Sequence, residues 1–256
     1  MNIGFIGIGK IASAVIEGFC NQGKTGHRIF LSPRNENNSR LLAGKFDEVT
    51  RLNSNQEVVD RADLVVLALR PPHAPAALGE LNFRSGQTIL SLIPLLAEQE
   101  IRQMVGPAGP VTRAVPLPPV VNHQCPIPVY NPTPETLEVL DRIGQTFTVD
   151  TEAQLHPLWT LTCLITPYYD LLASMAGWCT EKGVDPELAN SYTAHLFNAL
   201  THAAVLSDPV DFDALSHHAA TPGGLNEQAG REILAKGSHK AFLEAAEKIL
   251  GRFPEK

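Results

Sequence analysis

The nine residues Gly4-Phe5-Ile6-Gly7-Ile8-Gly9-Lys10-Ile11-Ala12 restrict the fold of this chain more than any other segment. They follow an apolar run from Ile3 to Ile6 and precede a helix-compatible stretch from Ala12 to Cys20. Gly7, Gly9 and Ala12 complete a G-x-G-x-x-A pattern. In a strand-to-helix turn, Gly7 permits the sharp reversal, and Gly9 lets a pyrophosphate approach the backbone. Ala12 lets the helix lie close on the strand. The free N–H groups at the helix start, those of Lys10 and Ile11 among them, then offer donors and a partial positive charge to the phosphates. Gly7, Gly9, Lys10, Ile11 and Ala12 are therefore candidate dinucleotide-binding residues. A glycine-rich turn in an unrelated α/β domain is the alternative reading.

The rest of the first half supports an α/β context. Further apolar runs lie at Arg28 to Leu31, Leu64 to Leu69, Thr88 to Leu92 and Val111 to Val115. Their length and Val/Ile/Leu content suit strands buried on both faces. Segments at Ser39 to Lys45, Gln56 to Arg61 and Ala97 to Val105 carry helical spacing, so an open parallel sheet with helices on both faces is expected. Prolines thicken between Pro107 and Pro134, which reads as strand ends and turns. Ile127 to Tyr130 and Thr146 to Val149 are expected to close the sheet.

After Asp150 the pattern becomes helical. Leu171, Leu172, Met175, Trp178 and Cys179 share one helical face, as do Leu188, Tyr192, Leu196, Ala199, Leu200 and Ala203. Phe242, Ala245, Ala246, Ile249 and Leu250 form a third such face, and Asp185-Pro186 reads as a cap with proline at the first helical position. The expected organisation is a dinucleotide-binding domain at 1–150 and a helical substrate and dimerisation domain at 151–256. So short a helical segment makes a thin core alone, and a homodimer through it is the expected remedy.

Composition narrows the partners. Of 256 residues, 44% are hydrophobic and 18% charged, which excludes a disordered chain. A formal charge of -7 argues against a general binder of nucleic acid or of acidic membranes. Cys20, Cys125, Cys163 and Cys179 form no C-x-x-C pair, so reduced thiols in a cytoplasmic setting are expected. No apolar run reaches the roughly 18 residues of a membrane span, and no signal peptide is read at the start. His195 and His202 can share a helix face but lack a third ligand, and adjacent His217 and His218 point apart; no metal is expected.

The second strand ends at Leu31 and leads into Ser32-Pro33-Arg34-Asn35, with no carboxylate before Glu36. An acidic residue here usually holds the ribose 2′-hydroxyl. A hydroxyl, a guanidinium and an amide suit a 2′-phosphate instead, so NADP(H) is expected over NAD(H). Arg34 as an ordinary solvated residue is the alternative. Leu69-Arg70-Pro71 and Arg113-Ala114-Val115-Pro116 follow strands and either line the same crevice or simply stop those strands. Further on, Thr221 is read as an N-cap and Pro222 as a first-turn residue. Gly223 and Gly224 would bare the N–H groups of Gly223, Gly224 and Leu225 as an anion site, with Asn226 as an added donor. An ordinary helix start is the alternative there.

Gly4 to Ala12, Arg113 to Pro119 and Thr221 to Asn226 together resemble the pyrroline-5-carboxylate reductases, whose R-A-M-P-N-T-P and S-P-G-G-x-T segments they match in order and spacing. Leu67 to Pro72 is similar to the V-K-P-Q loop of that family. The resemblance implies a Rossmann-type N-terminal domain and an all-α C-terminal dimerisation domain. It also implies an active site shared between two subunits and hydride transfer from NADPH to a small cyclic imine, as from pyrroline-5-carboxylate to proline. The chain departs from the pattern at Leu117 for Asn, Arg70 for Lys and Asn226 for Thr. At Cys163 to Tyr169 it lacks the glycines of the family's S-G-S-G-P-A-Y turn. These departures fall at the substrate end. They leave room for another cyclic imine, or for a dinucleotide-binding protein without turnover. Thr221, Gly223, Gly224, Leu225 and Asn226 are the candidate substrate contacts. Thr166, Tyr169 and Asn226 are candidate catalytic donors should the imine arrive neutral.

Overall fold

A computed structural model describes residues 1–254. Eight strands run through the first part of the chain: β1 (Asn2–Ile6), β2 (Arg28–Leu31), β3 (Val49–Arg51), β4 (Leu64–Leu67), β5 (Thr88–Ser91), β6 (Val111–Ala114), β7 (Pro126–Tyr130) and β8 (Gln145–Val149). Among them lie α1 (Lys10–Asn21), α2 (Glu36–Lys45), α3 (Asn55–Arg61), α4 (Ala74–Leu78), α5 (Glu98–Val105), α6 (Pro134–Asp141) and, after β8, α7 (Glu152–Thr162). The chain divides into two compact units. One comprises Met1–Trp159 with the tail from Leu250; the other is Thr160–Ile249.

In the first unit the strands form one sheet in the order β3-β2-β1-β4-β5-β6-β7-β8. Their side chains alternate between two cores. Ile3, Phe5, Leu64 and Val66 join α1, α2 and α6 on one face. Ile6, Val65, Leu67 and Ile89 join α3, α4 and α5 on the other. Burial on both faces explains why these strands are nearly continuous in Val, Ile and Leu. From β1 the order runs outward to β2 and β3 on one side and to β4 on the other, so the crossover connections reverse between β1 and β4. That reversal opens a crevice beyond the strands' carboxyl ends, where ligands bind in sheets of this kind.

Three sequence expectations need correction here. The sheet is not wholly parallel, since β7 pairs antiparallel to β6. Only a short link with a 3-10 turn at Pro118–Asn122 joins those two strands, too little for a helical crossover. The proline-rich stretch also ends in a helix rather than a turn. Pro134 opens α6 behind Thr133, whose hydroxyl accepts from the Thr136 N–H. Third, β3 adds a short edge strand beyond β2 that the apolar runs did not reveal.

The second unit contains α8 (Ile165–Glu181), α9 (Pro186–Val205), α10 (Phe212–Ala219), α11 (Leu225–Ala235) and α12 (Ser238–Leu250). Asp185 caps α9 by accepting from the Leu188 N–H at 3.0 Å, as its sequence signature implies. Burial is sparse: Ala176, Ala189, Thr193 and Ala204 are the buried residues of α8 to α12. Among the described residues no helix is long and apolar enough to cross a membrane.

Candidate functional site

The glycine turn lies at the β1–β4 reversal. Gly7 has φ +93°, and a Cβ there would come within 2.7 Å of the Ala68 carbonyl oxygen. Both backbone and packing therefore demand glycine. Gly9 differs. It is the N-cap of α1 with φ -85°, and a Cβ there would meet nothing within 4 Å. Neither conformation nor the protein's own packing requires glycine, so the missing side chain leaves open space before the first α1 amides. No side chain caps those amides either. A pyrophosphate fits such a cradle. Lys10 is exposed at the first helical position, Ile11 is half-buried, and Ala12 is fully buried against the sheet.

The loop after β2 holds side chains in two settings. Ser32 is 1% exposed, and its hydroxyl accepts from the Gly7 N–H at 3.0 Å. Asn35 adopts φ +65° and donates through Nδ2 to the Ile8 carbonyl at 2.8 Å, beside a second such bond from Asn38. These two side chains brace the glycine turn. Arg34 is exposed and faces a cavity of about 670 Å³ that Asn55 and His73 also line. Asn55 lies past β3 and His73 past Arg70, and neither was singled out from sequence. Recognising β3 would have drawn attention to Asn55, at the carboxyl end of a third strand.

Leu69 packs beside Gly7, with its Cδ2 3.0 Å from the position of a Gly7 Cβ. Arg70 is exposed just past β4 and precedes the 3-10 turn Pro71–His73, with His73 N–H bonded to the Arg70 carbonyl at 2.9 Å. Thus Leu69, Arg70 and Pro71 follow the strand that flanks the glycine turn. Arg113 does not line the crevice. Its side chain is wholly buried and ion-pairs with Glu152. It also donates to the Ile93 carbonyl at 3.2 Å and lies 4.9 Å from the Trp159 ring centre. Burial lowers the Arg113 pKa, and Glu152 opposes that shift.

In the helical unit, Thr166 and Tyr169 are exposed in the first turns of α8, with Tyr169 against Tyr168 at 5.4 Å between ring centres. No hydrogen bond joins either to Asn226 among the described residues. The Thr221 loop departs from expectation. Thr221 is not the N-cap: α11 starts at Leu225, with Gly224 as its cap. Gly223 at φ +71° turns the chain left-handed, so the helix cannot begin earlier. The two glycine amides are not bare. Gly224 N–H donates to the Thr221 carbonyl at 2.7 Å, and Gly223 N–H donates to a Glu227 carboxylate oxygen at 2.8 Å. Asn226 donates through Nδ2 to the Ala219 carbonyl at 3.1 Å. Leu225 is 85% exposed.

Comparison with known proteins shows what the chain is similar to. Residues 2–94 match the family model described as NADP oxidoreductase coenzyme F420-dependent. The pyrroline-5-carboxylate reductase of Pseudomonas aeruginosa is 28% identical across 95% of this chain and 92% of its own length. The fold is that of the Streptococcus pyogenes 1-pyrroline-5-carboxylate reductase, at TM-score 0.86, 22% identity and coverage of 98% of this chain and 97% of that one. The Plasmodium falciparum pyrroline carboxylate reductase with NADP bound superposes at TM-score 0.84, with 17% identity over 98% of this chain and 96% of the other. From the glycine turn to the helical unit, the chain is thus similar in sequence to pyrroline-5-carboxylate reductases and shares their fold.

Proposed function

We propose that this protein is an NADPH-dependent oxidoreductase that reduces the C=N bond of a small cyclic imine. The observation that carries the reading is the uncapped start of α1 behind Gly9, where even a Cβ would meet no protein atom, at the sheet's topological reversal in a chain similar to such reductases over nearly its full length. When bound, the reduced nicotinamide supplies the hydride. The chain's own residues supply position. The α1 amides hold the pyrophosphate, Ser32 and Asn35 keep the turn in shape, and Arg34 with His73 receives the 2′-phosphate. Leu69, Arg70 and Pro71 form the rim beside the turn. Thr221 to Asn226 is the substrate loop, and Thr166 and Tyr169 are the hydroxyls available to protonate a neutral imine.

The same reading includes a homodimer. Trp178, Tyr192 and Leu196 are exposed along α8 and α9 and line an apolar groove of about 400 Å³. A helical unit with so few buried residues gains its missing core from a second copy.

The test is NADPH oxidation by purified protein across a panel of cyclic imines that includes pyrroline-5-carboxylate. Turnover of at least one is expected, with NADPH preferred to NADH. Arg34→Ala should lower kcat/KM for NADPH roughly ten- to a hundredfold and leave NADH nearly unchanged, since one charged hydrogen-bond partner is lost. NADPH binding without turnover of any imine would remove the catalytic part of the proposal.

A further inference from the structure

The cavity of about 670 Å³ past β2, β3 and β4 is lined by polar groups of two kinds. Some are committed to the protein. The Ser54 hydroxyl accepts from the Glu57 N–H at 3.1 Å. Gln56 donates through Nε2 to Asp60 at 2.7 Å, and its Oε1 accepts from the Asn82 N–H at 2.9 Å. The side chains of Arg34, Asn55, His73 and Glu80 line the same cavity and enter none of the hydrogen bonds or ion pairs among the described residues. His73 is held firmly there. Pro71 and Pro72 restrict the backbone before it, its own N–H bonds to the Arg70 carbonyl, and Ala74 after it is fully buried. The charged groups that line the cavity with it are Arg34, on the loop after β2, and Glu80, just past α4; Arg70 opens the turn that carries it. Arg34 and Glu80 bring one positive and one negative charge, so the formal charge of the lining is zero unless His73 is protonated.

Resting on the NADPH reading above, we infer that His73 is a specificity-determining residue: its protonated ring joins Arg34 on the 2′-phosphate, and its neutral ring leaves the site with less preference for NADPH over NADH. A phosphate monoester carries about -1.5 to -2 charge at pH 7 and accepts several charge-assisted bonds at once. Arg34 is charged at every pH and Asn55 at none, whereas histidine changes charge near neutrality. A bound dianion favours the protonated ring, so NADPH binding takes up a proton where the free ring is neutral. NADH has a hydroxyl at that position and makes no such demand. Below about pH 6 the phosphate itself begins to protonate, so the effect is read above that value.

The experiment is calorimetric titration of the full chain with NADPH and with NADH from about pH 6.5 to about pH 8.5. In wild type the NADPH Kd should rise roughly tenfold across that range, while the NADH Kd stays within about twofold. His73→Gln should show the weaker NADPH binding at every pH, and His73→Lys, charged throughout, the tighter. Both replace an exposed side chain, so both should melt as wild type does. At about pH 7.5, heats in buffers of different ionisation enthalpy should reveal proton uptake with NADPH in wild type, and none with NADH or in His73→Gln. A histidine that only shaped the turn would change both cofactors together and leave the pH profile as it was. An NADPH preference that holds unchanged at every pH, or a pH dependence that survives in His73→Gln, overturns the inference and leaves the NADPH reading intact. Equal binding of the two cofactors at every pH, or binding of neither, overturns both.

Discussion

Ser32 and Arg34 stand two positions apart in one loop, yet their side chains have opposite tasks. The Ser32 hydroxyl is buried and accepts from the Gly7 N–H, whereas Arg34 extends over an open cavity. From sequence, both present polar atoms after β2, and residue type alone could not assign one inward and the other outward. Burial separates them, and so does the expected effect of mutation. Ser32→Ala strands a backbone N–H inside the turn, which costs about 1–3 kcal/mol. Its denaturant midpoint should fall with an unchanged m-value, and its NADPH Kd should rise because the cradle loosens. Arg34→Ala should leave the midpoint within about 0.5 kcal/mol of wild type, as for other exposed substitutions. A Ser32→Ala protein as stable as wild type would mean that the Gly7 amide finds another acceptor.

At the scale of elements, α7 shows how a crevice candidate became an internal brace. Arg113, on β6, pairs with Glu152 in the first turn of α7 and lies over Trp159 near its end. Glu152 also accepts from the Glu98 N–H at 2.8 Å, so one carboxylate joins β6, α5 and α7. Further along α7, His156 stacks on Phe253 at 4.8 Å between ring centres, which brings the chain's tail to the same helix. Spacing showed that Arg113 ended a strand, but not that its partner lay in a helix beyond β8. Removing one member leaves the other charge in an apolar setting. Glu152→Ala should therefore cost about 3 kcal/mol, the lower end for buried pairs, because the Glu152 side chain is 22% exposed. Equilibrium denaturation measures this, and a loss under about 1 kcal/mol would count against the brace. His156 adds a pH dependence. Burial, aided by the Arg113 charge, lowers its pKa in the folded protein. The unfolded chain then binds the proton first as pH falls through about 6.5, so stability declines from there down to the folded value. His156→Gln should flatten the fall in Tm between about pH 7 and pH 5, the window in which histidine titrates. An unchanged slope would show that other groups set it.

For the whole molecule, the two units were legible to different degrees, and for physical reasons. Strands buried on both faces display themselves as apolar runs, and a turn that excludes side chains displays itself as glycine, so the sheet and the β1–α1 cradle could be read directly. The short edge strand β3 buries only Val49, too little to leave a pattern. The Thr221 loop was read for its glycines, but the Glu227 carboxylate that accepts from one of their amides lies a helical turn later and has no mark in composition. In the helical unit the periodic faces were plain, and it is their exposure that carries information. Trp178 is 60% exposed and Tyr192 63%, on neighbouring helices that pack on each other. Such aromatic area left in water costs about 25 cal/mol per Å², which a second copy covering the groove would recover. Sedimentation at micromolar concentration should therefore show a dimer. Trp178→Glu should shift it toward monomer, because a charge placed in an apolar contact is left without a partner. Far-UV circular dichroism should show α8 and α9 less stable to heat in that variant, while Arg34→Ala stays dimeric with unaltered melting. A wild-type protein that sediments as a monomer, with this face still exposed, would mean that the helical unit draws its stability from elsewhere in its own chain.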